Sequence, residues 1–177
     1  MQHLSKLFCF ILILVFSGTG IRGLESDKDQ DIVYSSVGRS TSRIEGGVRI
    51  VTLEEDVRVT QGTLSISGDR AVFRSEPDSS AISRVTVDGS PARYSQLLDE
   101  DGDFVEGESD AIYYYVEGEP IVEFVGSATL RSANNVLSCA SIKYFTDSRF
   151  TETTGPCEGI STRATLAPAT PSDNPAN

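Results

Sequence analysis

The stretch "SISGDRAVF" (65–73) places a Gly-Asp pair in the middle of an alternating apolar pattern. Ala71 and Phe73 follow the pair at the two-residue spacing of side chains that share one face of a β-strand. A related octet occurs as "ESDAIYYY" (108–115) and, more loosely, as "SCASIKYF" (138–145). Each octet starts polar and finishes apolar and aromatic, which predicts a hairpin strand that recurs along the chain.

The three octets align on their apolar ends. Two sets of residues then fall in register: Ala71, Ile112 and Ile142, and two positions later Phe73, Tyr114 and Tyr144. Val59 and Leu130 lie twelve residues upstream of Ala71 and Ile142. Because the separations between the octets differ, we expect a meander of stacked hairpins rather than a strict solenoid.

Period-two alternation recurs outside the octets. It is found at Val57/Val59, Val85/Val87, Ile112/Tyr114, Val122/Phe124 and Ala128/Leu130. Turn-forming pairs separate these runs: Gly46-Gly47, Gln61-Gly62, Asp88-Gly89, Asp101-Gly102, Glu117-Gly118 and Asn134-Asn135. Short alternating runs between turns predict an all-β protein. The segment 94–98 is also compatible with a short helix.

The N-terminus has the pattern of a secretory signal peptide. Lys6 precedes the unbroken apolar run 7–16, and small residues follow it. A membrane-spanning helix needs about 20 apolar residues. The pattern therefore predicts a signal peptide at 1–23, cleaved near Gly20 or Gly23, rather than an uncleaved anchor.

The rest of the chain divides into three predicted parts. These are a charged leader (24–31), a β-domain (32–166) and a disordered tail (167–177) that is rich in proline and has no large apolar residue. The formal net charge is −11, and removal of the signal peptide would take away two basic residues and no acidic one. This charge excludes nucleic-acid binding through a basic surface. An anionic partner would have to be held by something other than bulk charge.

The sequence shows few of the features that an enzyme active site requires. The one His, His3, lies in the predicted signal peptide, so the mature chain has no His-based triad and no His-ligated zinc site. The acidic stretch "DEDGDFVEGESD" (99–110) places Phe104 where a calcium-binding loop needs Gly, and it is better explained as a solvated hairpin tip. We therefore expect no catalytic residue, no metal site and no cofactor.

Two cysteines remain after signal removal, Cys139 and Cys157. In an oxidising compartment the pair is compatible with a disulfide. The alternative is two unpaired thiols, one in a strand and one in a loop.

The aromatic cluster "IYYYV" (112–116) leaves two interpretations open. Alternation sends Ile112, Tyr114 and Val116 to one face. A packed sandwich core explains that face, and the pattern alone favours it. The alternative is an apolar groove for an acyl chain, for which small inward residues would leave room: Ala71, Ala128 and Ala140.

Three ordered segments carry a family resemblance. They are "EEDVRVTQGTLSISGDRAVF" (54–73), "VTVDGSPARYSQLLDEDGDFVEGESDAIYY" (85–114) and "VEFVGSATL" (122–130). Their order and spacing resemble the LptA/OstA family of periplasmic lipopolysaccharide transport proteins, over about residues 46–146. The resemblance implies an open, V-shaped antiparallel β-jellyroll of stacked hairpins with an apolar interior.

The resemblance also implies a function. Such proteins carry lipopolysaccharide from the inner to the outer membrane of Gram-negative cells, with the lipid A acyl chains in the groove. The implied partners are an inner-membrane-anchored LptC-like jellyroll, an outer-membrane LptD-like jellyroll and further copies of the same chain, joined head to tail. We expect edge pairing at terminal strands around 32–36 and 144–151, where unpaired backbone groups would lie.

Site residues follow from the resemblance and from alternation. The resemblance assigns lipopolysaccharide contact to Tyr94 and Tyr114, with Val116 next on the same face. Alternation adds further candidates for the groove: Ile32, Tyr34, Val57, Val59, Ile66, Ala71, Phe73, Ile112, Phe124 and Leu130.

The sequence departs from the family in three ways. Residues 35–46 are longer than the family's equivalent, the cysteine pair is not part of the family's pattern, and the acidic charge is unexpected for an anionic cargo. Two other functions stay open. One is the membrane-anchored LptC-like protein, which requires an uncleaved N-terminal helix. The other is a periplasmic β-scaffold that binds no lipid because side chains fill its interior.

Overall fold

The computed structural model describes residues 27–76, 81–98 and 102–162. In these ranges a short 3-10 helix (Asp27–Asp29) precedes nine strands of one open antiparallel sheet. The strands are β1 (Ile32–Ser35), β2 (Ser40–Glu45), β3 (Val48–Gln61), β4 (Leu64–Ser75), β5 (Ile82–Leu97), β6 (Phe104–Tyr115), β7 (Ile121–Ser132), β8 (Asn135–Phe145) and β9 (Phe150–Ser161). The all-β prediction is confirmed. The predicted signal peptide (1–23) and tail (167–177) lie outside the described residues.

Strands that follow one another in sequence pair as hairpins from β3 to β9. At the N-terminal edge, β1 pairs with 58–61 of β3 and β2 pairs with 48–53, so the edge consists of two pieces. The segment 35–46, whose strand assignment the sequence left open, thus contributes β2. The other edge is β9.

The predicted C-terminal edge was wrong. Residues 144–151 form the end of β8, a turn and the start of β9, and the edge strand itself runs on to Ser161. Nearly every residue of β9 is exposed. A strand without a buried face has no apolar alternation, so the pattern could not reveal it.

The long strands are interrupted near their middles. Shifts in register occur at Glu54/Val57, Ser67/Arg70, Asp88/Ala92, Glu108/Ala111, Val125/Ala128 and Cys139/Ser141. Such bulges bend a strand and shift which residues face inward. Because these lie side by side across the sheet, they divide it into two arms, each containing part of every long strand.

The first arm comprises 48–54, 70–75, 82–88, 111–115, 121–125, 141–145 and 150–154. The second arm comprises 57–61, 64–68, 92–97, 104–108, 128–132, 135–139 and 157–161.

The bend explains the polar pair in the middle of "SISGDRAVF". Gly68 and Asp69 lie at the register shift of β4, and a Cβ atom on Gly68 would lie 2.6 Å from the carbonyl oxygen of Asp88. The pair Asp88-Gly89, predicted as a turn between strands, instead lies at the bend of β5. Bulges and turns use the same residue types, which is why the two were confused. The segment 94–97 is likewise part of β5, not a helix.

The register predicted from the octets is confirmed on the first arm. One cross-strand row contains Ala71, Val87, Ile112, Phe124 and Ile142, and the next contains Phe73, Val85, Tyr114, Val122 and Tyr144. On the second arm, a matching row contains Val59, Ile66, Tyr94, Gly107 and Leu130. These rows form the inner faces of both arms and build one hydrophobic core.

A disulfide joins Cys139 of β8 to Cys157 of β9 at the bend, with 4.2 Å between the two Cα atoms. Cys157 therefore lies in the edge strand, not in a loop. The bridge ties this exposed strand to the rest of the sheet.

Candidate functional site

The predicted groove residues come together on the inner faces of the two arms. Ten of them are at most 7% exposed: Val57, Val59, Ile66, Ala71, Phe73, Tyr94, Ile112, Tyr114, Phe124 and Leu130. Ile32 and Val116 are partly buried and pack against this core. Tyr34 is 48% exposed at the N-terminal edge, although its ring centroid lies 4.7 Å from that of Phe73.

Aromatic side chains bridge the two arms. The ring of Tyr94, on the second arm, lies edge-on to Phe124 and Tyr144 of the first arm, with centroids 5.5 and 6.3 Å apart. Opposite them, a Cβ atom on Gly107 would lie 2.5 Å from Cζ of Phe124. Gly107 therefore leaves the space that the Phe124 ring fills. In each of these contacts a side chain of the first arm packs against a residue of the second.

The small residues expected to leave room in the groove do not all point inward. Ala71 and Ala128 are buried on the inner faces, but Ala140 is exposed, so its predicted orientation was wrong. It lies at the register shift between Cys139 and Ser141, where the alternation changes phase.

Polar side chains end the apolar interior at the tip of the second arm. The Tyr114 hydroxyl donates to Oε1 of Gln61 over 2.6 Å. The Gln61 amide, Nε2, in turn donates to the backbone carbonyls of Gln30, at 3.0 Å, and Lys28, at 3.2 Å. Gln61 is 3% exposed. The interior is thus linked by hydrogen bonds to the segment just before β1.

A second chain of hydrogen bonds runs parallel to the first. The Tyr94 hydroxyl donates to Oε1 of Gln96, and Nε2 of Gln96 donates to the Asp27 carboxylate, each over 2.7 Å. Thr63 donates to the same carboxylate through its backbone N–H, at 2.6 Å, and through its hydroxyl, at 2.8 Å. One carboxylate therefore accepts three hydrogen bonds from uncharged donors.

Both tyrosines remain protonated donors near neutral pH. Burial raises the pKa of Tyr94 well above 10.0, and the nearby Tyr144, Tyr114 and Asp27 raise it further. Burial is also the main cause of the raised pKa of Tyr114, followed by the negative charges of Asp27 and Asp147. Ionising either phenol would place a charge in a low-dielectric interior.

The segment 27–30 also connects the tips of the two arms. Asp27 is bonded to the second arm, while Nζ of Lys28 lies 2.8 Å from the carboxylate of Asp147, in the β8–β9 turn of the first arm. From the same turn Arg149 donates to the carbonyl of Leu98, which ends the second arm. The mouth of the interior is closed by these contacts.

Sequence reasoning missed the polar residues of this site. Gln61 and Gln96 could have been found, because each lies two positions after an inward residue, Val59 and Tyr94. Thr63 lies in a turn and Asp27 in the leader, where alternation carries no information.

An open cavity of about 730 Å³ lies beside this site, at the N-terminal edge. Its lining includes Gln30, Ile32, Tyr34, Gln61, Ile82 and Val116. Three predicted groove residues, Ile32, Tyr34 and Val116, therefore face a space that reaches the surface.

Within 27–76, 81–98 and 102–162, no group of three or more His, Cys, Asp or Glu side chains is arranged to hold a metal ion. Nor does this part of the chain contain a helix long and apolar enough to cross a membrane.

Comparisons with known proteins agree with this architecture. The family model described as "LptA/(LptD N-terminal domain) LPS transport protein" matches residues 41–150. Among solved structures, the chain is similar to LptH of Pseudomonas aeruginosa, the LptA-homologous periplasmic component of its lipopolysaccharide transport device. That similarity has a TM-score of 0.63 and 23% identity, and it covers 75% of this chain and 87% of LptH. A search of curated proteins found no match.

Proposed function

Because this chain belongs to the LptA and LptD N-terminal domain family of lipopolysaccharide transport proteins, we propose that it carries lipopolysaccharide through the periplasm. In this proposal the lipid A acyl chains lie between the inner faces of the two arms and the sugars project outward. The protein enters the periplasm by secretion, with loss of residues 1–23. There it forms part of a bridge between the inner and outer membranes.

The observation that carries this proposal is the continuous apolar lining of both arms. On the first arm its cross-strand rows run without interruption from β4 to β8. On the second arm the row runs from β3 to β7 and includes Gly107, where the ring of Phe124 fills the space. Burial of an acyl chain there contributes about 0.8 kcal/mol per CH₂ group. A chain of ordinary length therefore outweighs long-range repulsion by the acidic surface, which salt screens beyond about 10 Å.

The two-armed sheet also allows the acyl chains to enter the interior. The arms are linked by the bend and by side-chain contacts such as those of Tyr94 with Phe124. They can therefore separate at their tips without breaking the backbone hydrogen bonds within either arm. The packed interior described here is, in this proposal, the unloaded state.

We propose that partners dock at the two sheet edges by strand addition. The N-terminal edge exposes Val33, Val37 and Ile44, and β9 exposes Phe150 and Ile160, each by more than half. An LptC-like jellyroll would pair with the first edge and an LptD-like jellyroll with the second. Because the edges differ, copies of this chain would join head to tail in an open-ended array.

The other functions are less well supported. The LptC-like alternative requires an uncleaved N-terminal helix, and the matched family is described by LptA and LptD rather than by the anchored protein. A scaffold with a permanently filled interior would not need an open sheet divided into two arms. We further propose that the protein binds its cargo without chemical turnover.

Mass spectrometry of copurifying lipid tests this function. The mature protein, isolated from the periplasm of a Gram-negative host under mild conditions, should carry lipid A or lipopolysaccharide. A preparation free of lipid that also fails to bind added lipid A would contradict the proposal and favour the scaffold.

A further inference from the structure

The closed mouth of the interior contains an assembled set of hydrogen-bond donors whose acceptors come from the chain itself. We propose that Gln61, Thr63 and Gln96 form a binding site for the oxygen atoms at the junction between acyl chains and head group of an amphiphilic lipid. Residues 27–30, here called the plug, hold this site until the lipid displaces them. This inference rests on the proposed function and specifies which atoms recognise the polar part of the cargo.

The groups that now occupy the site indicate what it can bind. The Asp27 carboxylate accepts from Gln96 Nε2 and from the N–H and hydroxyl of Thr63, and two backbone carbonyls accept from Gln61 Nε2. One anionic group and neighbouring carbonyls are also what a phosphorylated, acylated sugar presents where its chains begin. The shared chemistry is an anionic or carbonyl oxygen acceptor.

The uncharged donors fit a protein of this charge. Hydrogen bonds to an ionised acceptor are roughly twice as strong as neutral ones, so amide, hydroxyl and backbone N–H groups can hold an anion without a basic surface. The chain as a whole carries a formal charge of −11. Such a site answers how an acidic protein can hold an anionic cargo.

The position of the site is that of a boundary between apolar and polar regions. Through Tyr114 and Tyr94, the two glutamines are bonded to side chains that line the apolar interior. Gln61 also lines the 730 Å³ cavity, together with Ile32 and Val116. A lipid with chains in the interior would place its first polar atoms beside these donors.

The plug can be displaced because the lipid can replace the contacts that hold it. Its contact with the first arm is the ion pair of Lys28 with Asp147, whose side chains are 42% and 37% exposed. Exposed pairs of this kind stabilise a fold little. The plug's hydrogen bonds at the second arm are of the same kind that the lipid would form in exchange, so the two compete on similar terms.

Competition between plug and lipid predicts how affinity changes. If only a fraction of the protein molecules have the plug displaced, the apparent affinity for the lipid is lower than the intrinsic affinity by that fraction. Asp27→Ala removes the acceptor that occupies the site, and it should tighten binding of labelled lipid A roughly tenfold. Asp29→Ala is the matched control, because it changes the charge equally in the same short helix. The contacts described for the plug run through Asp27, Lys28 and the carbonyl of Gln30, whereas the Asp29 side chain is exposed.

A second pair of measurements distinguishes the two sources of oxygen. In the Asp27→Ala background, where the plug no longer uses the Gln96 donor, Gln96→Leu should weaken binding of intact lipid A by roughly tenfold. If the acceptor is a phosphate, this loss should disappear with lipid A from which both phosphates have been removed. If the acceptor is a carbonyl, the loss should be the same with both lipids. If Gln96→Leu in the Asp27→Ala background binds both lipids as Asp27→Ala alone does, the site is overturned.

The binding series separates failure of this inference from failure of the proposed function. If the wild type binds lipid A but Asp27→Ala binds no more tightly than Asp29→Ala, the plug is wrong and lipid transport stands. If wild type and variants all fail to bind, both are wrong. Thermal unfolding monitors the fold, and Asp27→Asn, which keeps the size but not the charge, provides the same comparison should Asp27→Ala not fold.

Discussion

The ring of Phe124 lies against the backbone of Gly107, where an added Cβ atom would be 2.5 Å from Cζ of the ring. Phe124 belongs to the first arm and Gly107 to the second, so this contact sets how closely the arms approach. A methyl group here cannot be accommodated unless the Phe124 ring or one of the arms moves. The structure thus gives a physical reason for the glycine in the "VEG" segment (105–107).

Gly107→Ala should lower the free energy of unfolding by about 1–3 kcal/mol through overpacking. The matched control is Gly159→Ala in exposed β9, where the added Cβ would meet its nearest neighbours at an ordinary 3.6 and 3.7 Å. Urea unfolding followed by circular dichroism measures both. Equal stability of the two variants would show that the arms do not pack as described.

Tyr114→Asp should weaken lipid A binding at least about tenfold, because it places an unpaired charge among apolar side chains. Tyr113→Asp introduces the same charge on the opposite face of β6 and should bind as the wild type does. Binding is measured with labelled lipid, after circular dichroism has shown that both variants fold. Undiminished binding by Tyr114→Asp would place the cargo elsewhere.

Stability should fall in alkaline solution. The pKa values of Tyr94 and Tyr114 are raised above 10.0 in the folded protein, so the native state retains these protons at a pH where the unfolded chain loses them. Their contribution is fully present below about pH 10 and is lost as the pH rises towards the folded values. Urea unfolding between about pH 8 and 11 should show the fall, with a smaller one in Tyr94→Phe. A stability that does not change over this range would contradict the burial of these phenols.

Reduction of the Cys139–Cys157 disulfide should lower the free energy of unfolding by about 3 kcal/mol, the value for a closed loop of roughly this length. The two residues are 18 positions apart in sequence. A Cys139→Ser/Cys157→Ser variant should have the stability of the reduced protein and no response to reductant. An unchanged melting temperature of the wild type in reductant would argue that the bridge does not form in solution.

Self-association should increase with salt, because screening reduces repulsion between acidic copies. Lysine on an exposed edge opposes strand addition, so Phe150→Lys/Ile160→Lys should remain monomeric. Glu117→Lys changes the net charge by the same amount, lies exposed in the β6–β7 connection, and should still associate. Light scattering over protein and salt concentration measures all three proteins. A double variant that associates as readily as the Glu117→Lys control would exclude β9 from the contact.

The sequence predicted those features that depend on period-two alternation within one arm. The rows through Ile112 and Tyr114 were placed in the correct register because no bulge interrupts them. Alternation gave the wrong orientation for Ala140, because the phase changes at the register shift there. It did not predict β9, because that strand has no buried face. Gln61 and Gln96 continue the inward phase of Val59 and Tyr94, but the prediction considered only apolar residues and so left out polar residues that are buried through their hydrogen bonds.

The central claim is that lipopolysaccharide occupies the space between the arms. The most direct test is to replace single aromatic residues with a photo-crosslinking amino acid in cells and to detect lipopolysaccharide adducts after irradiation. Phe124 and Tyr144 face the interior and are at most 4% exposed, whereas Tyr113 lies on the outer face of β6. We predict adducts at Phe124 and Tyr144 and none at Tyr113. Adducts at Tyr113 alone, or equally at all three positions, would contradict the account.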